Sequence, residues 1–324
     1  MSQVLVVIEH DRGEVADTTY QAIGFAHSLI AVGMGSSVAA VVVGAEIAGL
    51  GAFGVAEVIQ VSHAELGDYA PEAWADAVAQ LVASTTPAAV VAVGTDRGNE
   101  VLAHVAAITD LAFAANVLEI IEVGDAVSLK RSRWGGSLIE VAQLSGGPYI
   151  MSCAAHTFSG DPVGDGGGGG GAVVTVFSPE LADAARTRIV DRVTLASGIT
   201  LTTAAVVVSG GRGVGSADGF APLEELAALL GGAVGCSRVA TNNGWRPHSD
   251  QVGQTGKRIA PELYIACGIS GAIQHWVGMM AAKKVLAINT DSEANMVGKA
   301  DYAVMGDLHQ ILPAVSAEIR RRRG

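Results

Sequence analysis

Glycine-rich turns that carry polar side chains recur in the last third of the chain. Residues 209–216 read Ser-Gly-Gly-Arg-Gly-Val-Gly-Ser and directly follow a run of valines. This pattern is close to the G-x-G-x-x-G turn that binds the pyrophosphate of a dinucleotide, but Ser216 stands where the third glycine belongs. Three interpretations are therefore open: a dinucleotide-binding turn, an anion-binding turn with Arg212 as a clamp, and a plain tight turn.

A basic residue follows the next predicted strand, which ends in Cys236-Ser237-Arg238. An arginine at this point could bind the 2′-phosphate of NADP. It could equally stack on a flat aromatic ring, because a guanidinium group is planar and cationic. A surface arginine in an ion pair is the third interpretation, and the residue alone does not choose among them.

A third turn, residues 251–257, reads Gln-Val-Gly-Gln-Thr-Gly-Lys. It resembles a phosphate-binding Walker loop in part. Gln251 replaces the first glycine of that loop, however, and Arg258 replaces the serine or threonine that binds magnesium. Nucleotide hydrolysis is therefore disfavoured.

A fourth turn, residues 268–275, follows a predicted strand and opens a predicted helix. Backbone N–H groups at Ser270 and Gly271 would be unpaired at such a helix start, so they suit a pyrophosphate. His275 lies one turn further on, where a lone histidine is more often structural than catalytic.

The elements that must position these turns are the strands of a parallel sheet. In the last third of the chain, strands are predicted at 204–209, 233–236, 263–267, 285–288 and 302–305, and helices at 222–230, at 272–282 and from 308 onward. Ligands of open parallel sheets bind at the carboxyl ends of the strands. We therefore expect these turns to meet at one edge of the sheet.

The first half of the chain also alternates apolar runs with helical patterns, which predicts parallel βα units. Strands are predicted at 4–8, 38–43, 55–61, 88–93 and 117–123, helices at 16–32, 71–83 and 98–109, and a helix and connector at 178–192. Short strands without helices between 127 and 176 predict an antiparallel edge. Six glycines at 166–171 predict a mobile loop, and a domain boundary is predicted between 196 and 197.

Composition indicates a two-domain α/β protein, since the 324 residues are 50% hydrophobic but only 5% aromatic. A net charge of -12 argues against a nucleic-acid surface. The uncharged stretch 18–45 is broken by turn residues at 33–37, so no integral membrane segment is predicted, and without a signal peptide we expect a cytoplasmic protein. The scattered Cys153, Cys236 and Cys267 are expected to be buried apolar residues, with no metal site.

These segments together are similar to a known family. Residues 209–307 resemble the FAD domain of the α subunit of electron transfer flavoproteins through SGGRG, GCSR, QVGQTGK, APELYIACGISGAIQH, AIN and ADY. The first half is similar in the same order through residues 93–98 and 110–116. The resemblance implies an α/β fold, with an N-terminal parallel-sheet domain of the nucleotide-hydrolase-like kind at 1–196 and a C-terminal doubly wound FAD-binding domain at 197–324.

The resemblance also implies roles for particular residues in binding FAD. Arg238 would lie over the isoalloxazine ring, Thr255 would bind N5, and His275 would face the N1/O2 edge. Ser237 and the main chain of Gln251, Val252, Gly253 and Gln254 would line the ring; Arg212, Ser270, Gly271, Ala272 and Ile273 would hold the pyrophosphate; Asn289 and Asp307 would hold the adenosine; and Gly268, Gln274 and Leu308 complete the set. No catalytic base or nucleophile is implied.

The function implied is electron carriage. The chain would pair with a β-type subunit, itself expected to bind AMP, accept electrons from a flavoprotein dehydrogenase, as in fatty acid oxidation, and deliver them to a quinone reductase or another acceptor. Two alternatives are open. An NADP-dependent oxidoreductase would rest on Arg238, and a flavin-free assembly partner would rest on departures from the family pattern at 155–158, 242–245 and 291–296.

Overall fold

The computed structural model describes residues 2–136, 138–163, 171–181, 186–190 and 200–323. The chain divides into two compact units, Met1–Val193 and Thr194–Gly324. The boundary predicted between 196 and 197 lies outside the described residues, as does the predicted glycine loop except for Gly171. Both remain predictions.

The first unit alternates strands with helices along most of its length. Its strands are β1 (Val4–Val7), β2 (His10–Asp11), β3 (Glu14–Val15), β4 (Val38–Val43), β5 (Glu57–Val61), β6 (Ala89–Val93), β7 (Phe113–Val123), β8 (Ala126–Arg133), β9 (Leu138–Ser145), β10 (Tyr149–Cys153) and β11 (Val173–Phe177), and its α-helices are α1 (Thr19–Ala31), α2 (Pro71–Thr85) and α3 (Asp96–Thr109). These elements agree in type with the predicted strands and with the first three predicted helices.

Within the described residues of this unit, nine strands form one sheet in the order β11-β5-β4-β1-β6-β10-β7-β8-β9. Neighbours from β11 to β7 are parallel, whereas β7 pairs with β8 and β8 with β9 in antiparallel fashion. The antiparallel edge predicted for residues 127–176 is confirmed for β8 and β9 but is wrong for β10 and β11, which pair in parallel with β6, β7 and β5. Helix α1 packs on Val4 and Val6 of β1, and helices α2 and α3 pack on Leu5 and Val7, so both faces of the strand are buried and its sequence is a continuous apolar run.

Two segments of the first unit differ from the prediction. The helix predicted from residue 16 begins at Thr19, because residues 10–15 fold into the hairpin β2–β3. The second is the helix and connector predicted over 178–192: its described residues, 178–181 and 186–190, carry no helix, so the helix is wrong for them. There the Gln80 side chain accepts from the Glu180 N–H at 3.0 Å and donates to the Glu180 carbonyl at 2.9 Å, so these backbone groups are not available to a helix.

The second unit contains strands β12 (Val206–Gly210), β13 (Ala233–Cys236), β14 (Leu263–Cys267), β15 (Lys284–Asn289) and β16 (Tyr302–Met305), and α-helices α4 (Ala221–Leu230), α5 (Arg238–Asn242), α6 (Ile273–Trp276), α7 (Asn295–Lys299) and α8 (Leu308–Arg323). Over the described part, 200–323, the sheet is parallel with the order β13-β12-β14-β15-β16. Residues alternate between two hydrophobic layers: Val208 and Ile265 pack with α4 and α8, and Val207 and Tyr264 pack on the opposite face. The C-terminal unit is therefore doubly wound, as predicted.

One element of the second unit is much shorter than predicted. The helix expected over 272–282 is only the four-residue α6, Ile273–Trp276. Beyond it the backbone tightens, with the Gly278 N–H donating to His275 O and the Met279 N–H to Trp276 O, each at 3.0 Å. The backbone of Gly278 approaches Gly253 so closely that an added Cβ would lie 2.2 Å from the Gly253 nitrogen. This contact, which is remote in sequence, ends the helix.

Among the residues that the structure describes, no helix combines the length and the apolar character needed to cross a bilayer. The three cysteines are free and buried, as expected.

Candidate cofactor site

A cavity of about 410 Å³ lies in the second unit where β12, β13, β14 and β15 end. Strand β12 lies between β13 and β14. After β12 the chain adds β13 on one side of it and then crosses over to add β14 on the other side. Turns diverge at such a switch point, and ligands of open α/β sheets bind there. The volume is in the range of small-molecule and cofactor sites.

Most of the residues predicted to bind a cofactor line this cavity: Arg212, Ser237, Arg238, Gln251, Val252, Gly253, Gln254, Thr255, Gly268, Ser270, Gly271, Ala272, Gln274, His275 and Asn289. Sequence reasoning missed five further lining residues, which are Gly213, Val239, Ile269, Asp291 and Ala294. Their position directly after strand ends, or next to predicted residues, is the only signal that the sequence offers.

Three predicted residues are not part of the lining. Ile273 is 59% exposed, and Leu308 is 5% exposed and packs in the hydrophobic layer formed by α4 and α8. The Asp307 carboxylate accepts from the His309 N–H at 2.9 Å, at the start of α8. A contact of these residues with a cofactor remains a prediction from the resemblance.

The turns after β12 and β14 are in direct backbone contact. The Gly211 N–H donates to Cys267 O at 2.9 Å, and the Gly213 N–H donates to Gly268 O at 3.0 Å. A Cβ on Gly213 would lie 2.8 Å from the Gly268 Cα, and a Cβ on Gly268, whose φ is +61°, would lie 2.7 Å from the Gly213 Cα. Glycine is therefore required on both sides by the closeness of the two chains.

The turn at 251–257 joins the same edge of the sheet. Val252 donates its N–H to Cys236 O at 2.9 Å, and Gln254 donates its N–H to Gln274 O at 2.7 Å. The predicted convergence of these turns is confirmed.

A buried amide organises this turn from within. Gln251 is 1% exposed, and its Nε2 donates to the Thr255 hydroxyl at 2.9 Å. Its Oε1 accepts from the Thr241 hydroxyl of α5 at 2.8 Å. Thr255 is thus held to a helix that follows a different strand, which places its hydroxyl on the cavity wall.

The turn at 270–272 offers backbone donors. The N–H groups of Ser270, Gly271 and Ala272 make no hydrogen bond to the described residues. Because α6 has only four residues, these N–H groups themselves, rather than a helix dipole, would attract an anion. Gly271 has φ of +81°, and a Cβ there would lie 2.4 Å from the Met296 nitrogen, so the turn packs on α7.

Charge and polarity in the lining are mixed. Arg212 and Arg238 are exposed, and neither forms an ion pair with a described residue. Asn289 donates through Nδ2 to Ile269 O at 3.1 Å and accepts through Oδ1 from the Asp291 N–H at 3.1 Å. The two arginines leave cationic groups free for an anionic or aromatic ligand, while Asn289 holds the last two turns together.

Two buried polar atoms of the lining have no hydrogen-bond partner among the described residues, Ser237 Oγ and His275 Nδ1. His275 is 7% exposed, and its Nε2 lies 2.8 Å from the Tyr264 hydroxyl. Burial lowers the pKa of His275 to about 4, and the nearby Val252 backbone partly opposes that shift. Unpaired buried polar atoms in a cavity wall are what a ligand-binding site leaves for its ligand.

The pKa of His275 predicts an acid dependence of stability. The unfolded chain gains a proton on this residue near pH 6.5, whereas the folded chain gains it only near pH 4. The contribution of His275 to the free energy of unfolding is therefore constant above about pH 6.5 and falls, by about 3 kcal/mol in total, as the pH drops from about 6.5 to about 4.

Urea unfolding of the wild-type chain and of His275→Gln between pH 7 and pH 4 measures this contribution. The wild type is expected to lose more stability on acidification than the variant, because the other histidines are common to both. Equal losses would contradict the assignment of a buried, neutral His275.

Fold and site together define a class: an α/β protein of two units whose C-terminal, doubly wound sheet has a cofactor-sized cavity at its switch point. Comparison with known families agrees with this class and identifies one family. The chain matches the electron transfer flavoprotein domain over residues 4–196 and the electron transfer flavoprotein FAD-binding domain over residues 200–280.

Relatives match over nearly the whole chain. It is 37% identical over 332 aligned residues to the electron transfer flavoprotein subunit alpha of Mycobacterium leprae (strain TN), with 100% of both chains covered. It is 35% identical over 322 residues to the subunit of the same name from Pseudomonas aeruginosa, covering 98% of this chain and 99% of the relative. It is 31% identical over 324 residues to that of Bacillus subtilis (strain 168), covering 98% of each.

The chain belongs to the electron transfer flavoprotein alpha-subunit family, and its C-terminal unit is the family's FAD-binding domain. The family resemblance seen in the sequence is confirmed, and with it FAD as the cofactor of this domain. The interpretation in which Arg238 binds the 2′-phosphate of NADP is correspondingly disfavoured.

Proposed function

We propose that this chain is the FAD-carrying subunit of a heterodimeric electron carrier, with a β-type subunit as its partner. The observation that carries the proposal is the cavity at the switch point. It combines two guanidinium groups that form no ion pair with a described residue and a buried imidazole whose Nδ1 has no hydrogen-bond partner among those residues. Cations and hydrogen-bond donors of this kind stabilise negative charge, both on a pyrophosphate and on a bound ring that takes up electrons.

The donor set fits the parts of FAD. Arg212 and the N–H groups of Ser270, Gly271 and Ala272, which make no hydrogen bond to the described residues, would hold the pyrophosphate, since together they supply a cation and several donors. Asn289 would bind the adenosine portion. The resemblance adds Ile273 to the first group, Asp307 to the second, and Leu308 to the site.

Around the ring, Arg238 would supply a planar cation, Thr255 a hydroxyl and His275 its free Nδ1. Ser237 Oγ, which lacks a partner among the described residues, and the main chain of 251–255 would complete the wall. When bound, FAD supplies a ring that takes up and releases electrons. The side chains named here bind that ring and tune how readily it holds negative charge.

A partner subunit is expected on the cavity side because Arg212 and Arg238 are exposed in this chain. By resemblance, that β-type subunit would cover the ring and bind AMP. A flavoprotein dehydrogenase as donor, as in fatty acid oxidation, a quinone reductase or another acceptor, and a cytoplasmic location are inferred in the same way. The proposed role is that of a carrier that turns over no substrate of its own.

Coexpression of the chain with a β-type subunit from the same genome tests this function. The purified complex is expected to show the visible spectrum of a flavin, and this spectrum should bleach when a reduced flavoprotein dehydrogenase is added. A colourless complex that binds NADPH, or a stable colourless complex that binds neither, would overturn the proposal in favour of an NADP-dependent oxidoreductase or a flavin-free assembly partner, respectively.

A further inference from the structure

Tyr264 contacts His275, the histidine that lines the cavity, from the protein interior. It lies in β14 and is completely buried, and its hydroxyl is 2.8 Å from His275 Nε2. The two rings have centroids 6.1 Å apart and are tilted by 52°. His275 therefore has one ring nitrogen paired with the core and the other, Nδ1, unpaired in the cavity wall.

The direction of this hydrogen bond follows from what surrounds the tyrosine. A buried hydroxyl hydrogen needs an acceptor, and among the described residues the hydroxyl of Tyr264 has one, His275 Nε2. The nearest competitor is the hydroxyl of Ser209 on β12, which is buried and makes no hydrogen bond within the described residues. Burial raises the pKa of Tyr264 and the nearby Ser209 hydroxyl opposes that rise, but this hydroxyl is outside hydrogen-bond geometry and so does not accept the hydrogen of Tyr264. Tyr264 is thus the donor to Nε2.

The position of the imidazole proton is then determined. A neutral imidazole carries one hydrogen, and the nitrogen that accepts from another group cannot hold it. Because Nε2 accepts from Tyr264, the hydrogen of His275 belongs on Nδ1. His275 lines the cavity and its Nδ1 makes no hydrogen bond to the described residues, so this nitrogen would offer a donor to a ligand of the cavity.

We propose that Tyr264 fixes His275 in the neutral tautomer protonated at Nδ1, so that His275 serves the flavin as a neutral hydrogen-bond donor rather than as a cation. Tyr264 is a positioning residue in this account, since it acts through His275 and does not line the cavity. The inference rests on the proposed placement of His275 beside the flavin ring.

Nitrogen-15 NMR of the histidine rings tests the proposal directly. In the wild-type heterodimer, with histidine labelled in this chain, His275 is expected to show a protonated, pyrrole-type Nδ1 and an unprotonated, pyridine-type Nε2 at neutral pH. The signal that disappears in His275→Asn identifies the residue among the eight histidines. A protonated Nε2, or two protonated nitrogens, would overturn the proposal. Because this measurement is made on the wild-type protein, it does not depend on whether a variant folds.

The variant Tyr264→Phe tests the cause. It removes only the hydroxyl, so His275 should no longer show a single tautomer. The dissociation constant of the complex for FAD should be about tenfold higher than that of the wild type. The matched control is Tyr302→Phe, because Tyr302 is 61% exposed on the edge strand β16 and should leave both readouts unchanged. Retention of the Nδ1-protonated pattern in Tyr264→Phe would show that Tyr264 does not set the tautomer.

The proposed function and the role of Tyr264 can be overturned independently. A wild-type complex without flavin overturns the proposed function, while the ring spectrum of His275 still decides the role of Tyr264. A flavin-containing complex in which His275 is protonated at Nε2 overturns the inference and leaves electron carriage intact.

Discussion

Gly268→Ala is expected to leave the chain unable to retain FAD. Residue 268 has φ of +61°, and the added Cβ would lie 2.7 Å from the Gly213 Cα and 3.0 Å from the Gly213 carbonyl carbon. The left-handed backbone disfavours alanine by about 1–2 kcal/mol, and forcing apart two packed backbone segments adds about 1–3 kcal/mol. Since both segments line the cavity, the strain falls on the site itself.

The ratio of bound flavin to protein in the purified complex measures this effect, together with the dissociation constant for FAD. The matched control is Gly298→Ala, because Gly298 is exposed in α7, has an ordinary φ, and has open space around its would-be Cβ. We expect the control to retain full flavin content. A Gly268→Ala complex with wild-type flavin content would show that the two turns can separate without harm to the site.

Arg238→Ala is expected to lower the reduction potential of the flavin. The guanidinium group is exposed, lies in the cavity lining and has no ion-pair partner among the described residues, so its charge is free to act on the ring. Removing one partly screened cation near developing negative charge should raise the energy of the reduced flavin by about 1.4 kcal/mol, equivalent to about 30 mV for a two-electron couple.

Potentiometric titration of the purified complex provides the measurement. Arg238→Lys retains the charge but not the planar group, so it should recover part of the potential if charge dominates and little of it if stacking does. Arg322→Ala is a suitable control, since this arginine is exposed near the end of α8 and is paired with Glu318 at 2.8 Å. An unchanged potential in Arg238→Ala would show that Arg238 does not lie beside the flavin ring.

Much of the fold could be predicted because its signals are local. The valine-rich strands β4 and β12 are continuous apolar runs, as expected for strands covered on both faces, and the turns that follow strands of the second unit carry glycine and polar residues. Since parallel strands bring their carboxyl ends to one edge, the same patterns predicted that the turns meet. The family resemblance then supplied FAD and the names of most lining residues.

The errors arose where a remote contact overrides a local pattern. The segment after Ala272 has a helical sequence, but Gly278 packs against Gly253 and the helix ends at Trp276. Residues 178–192 also have a helical composition, yet the backbone of Glu180 is bonded to the side chain of Gln80 from α2. In neither case does the sequence near the element contain the group that decides its length.

By itself, the sequence determined the class of fold, because apolar periodicity and the residue types of short turns are properties of neighbouring residues. Its resemblance to a known family supplied the family and the cofactor. Only the tertiary structure decided that Gly213 and Gly268 touch, that Gln251 holds Thr255 to α5, and that Tyr264 bonds to His275. These pairings join residues from different strands and turns. Their distances depend on how the sheet is ordered and packed, and no local pattern along the chain encodes them.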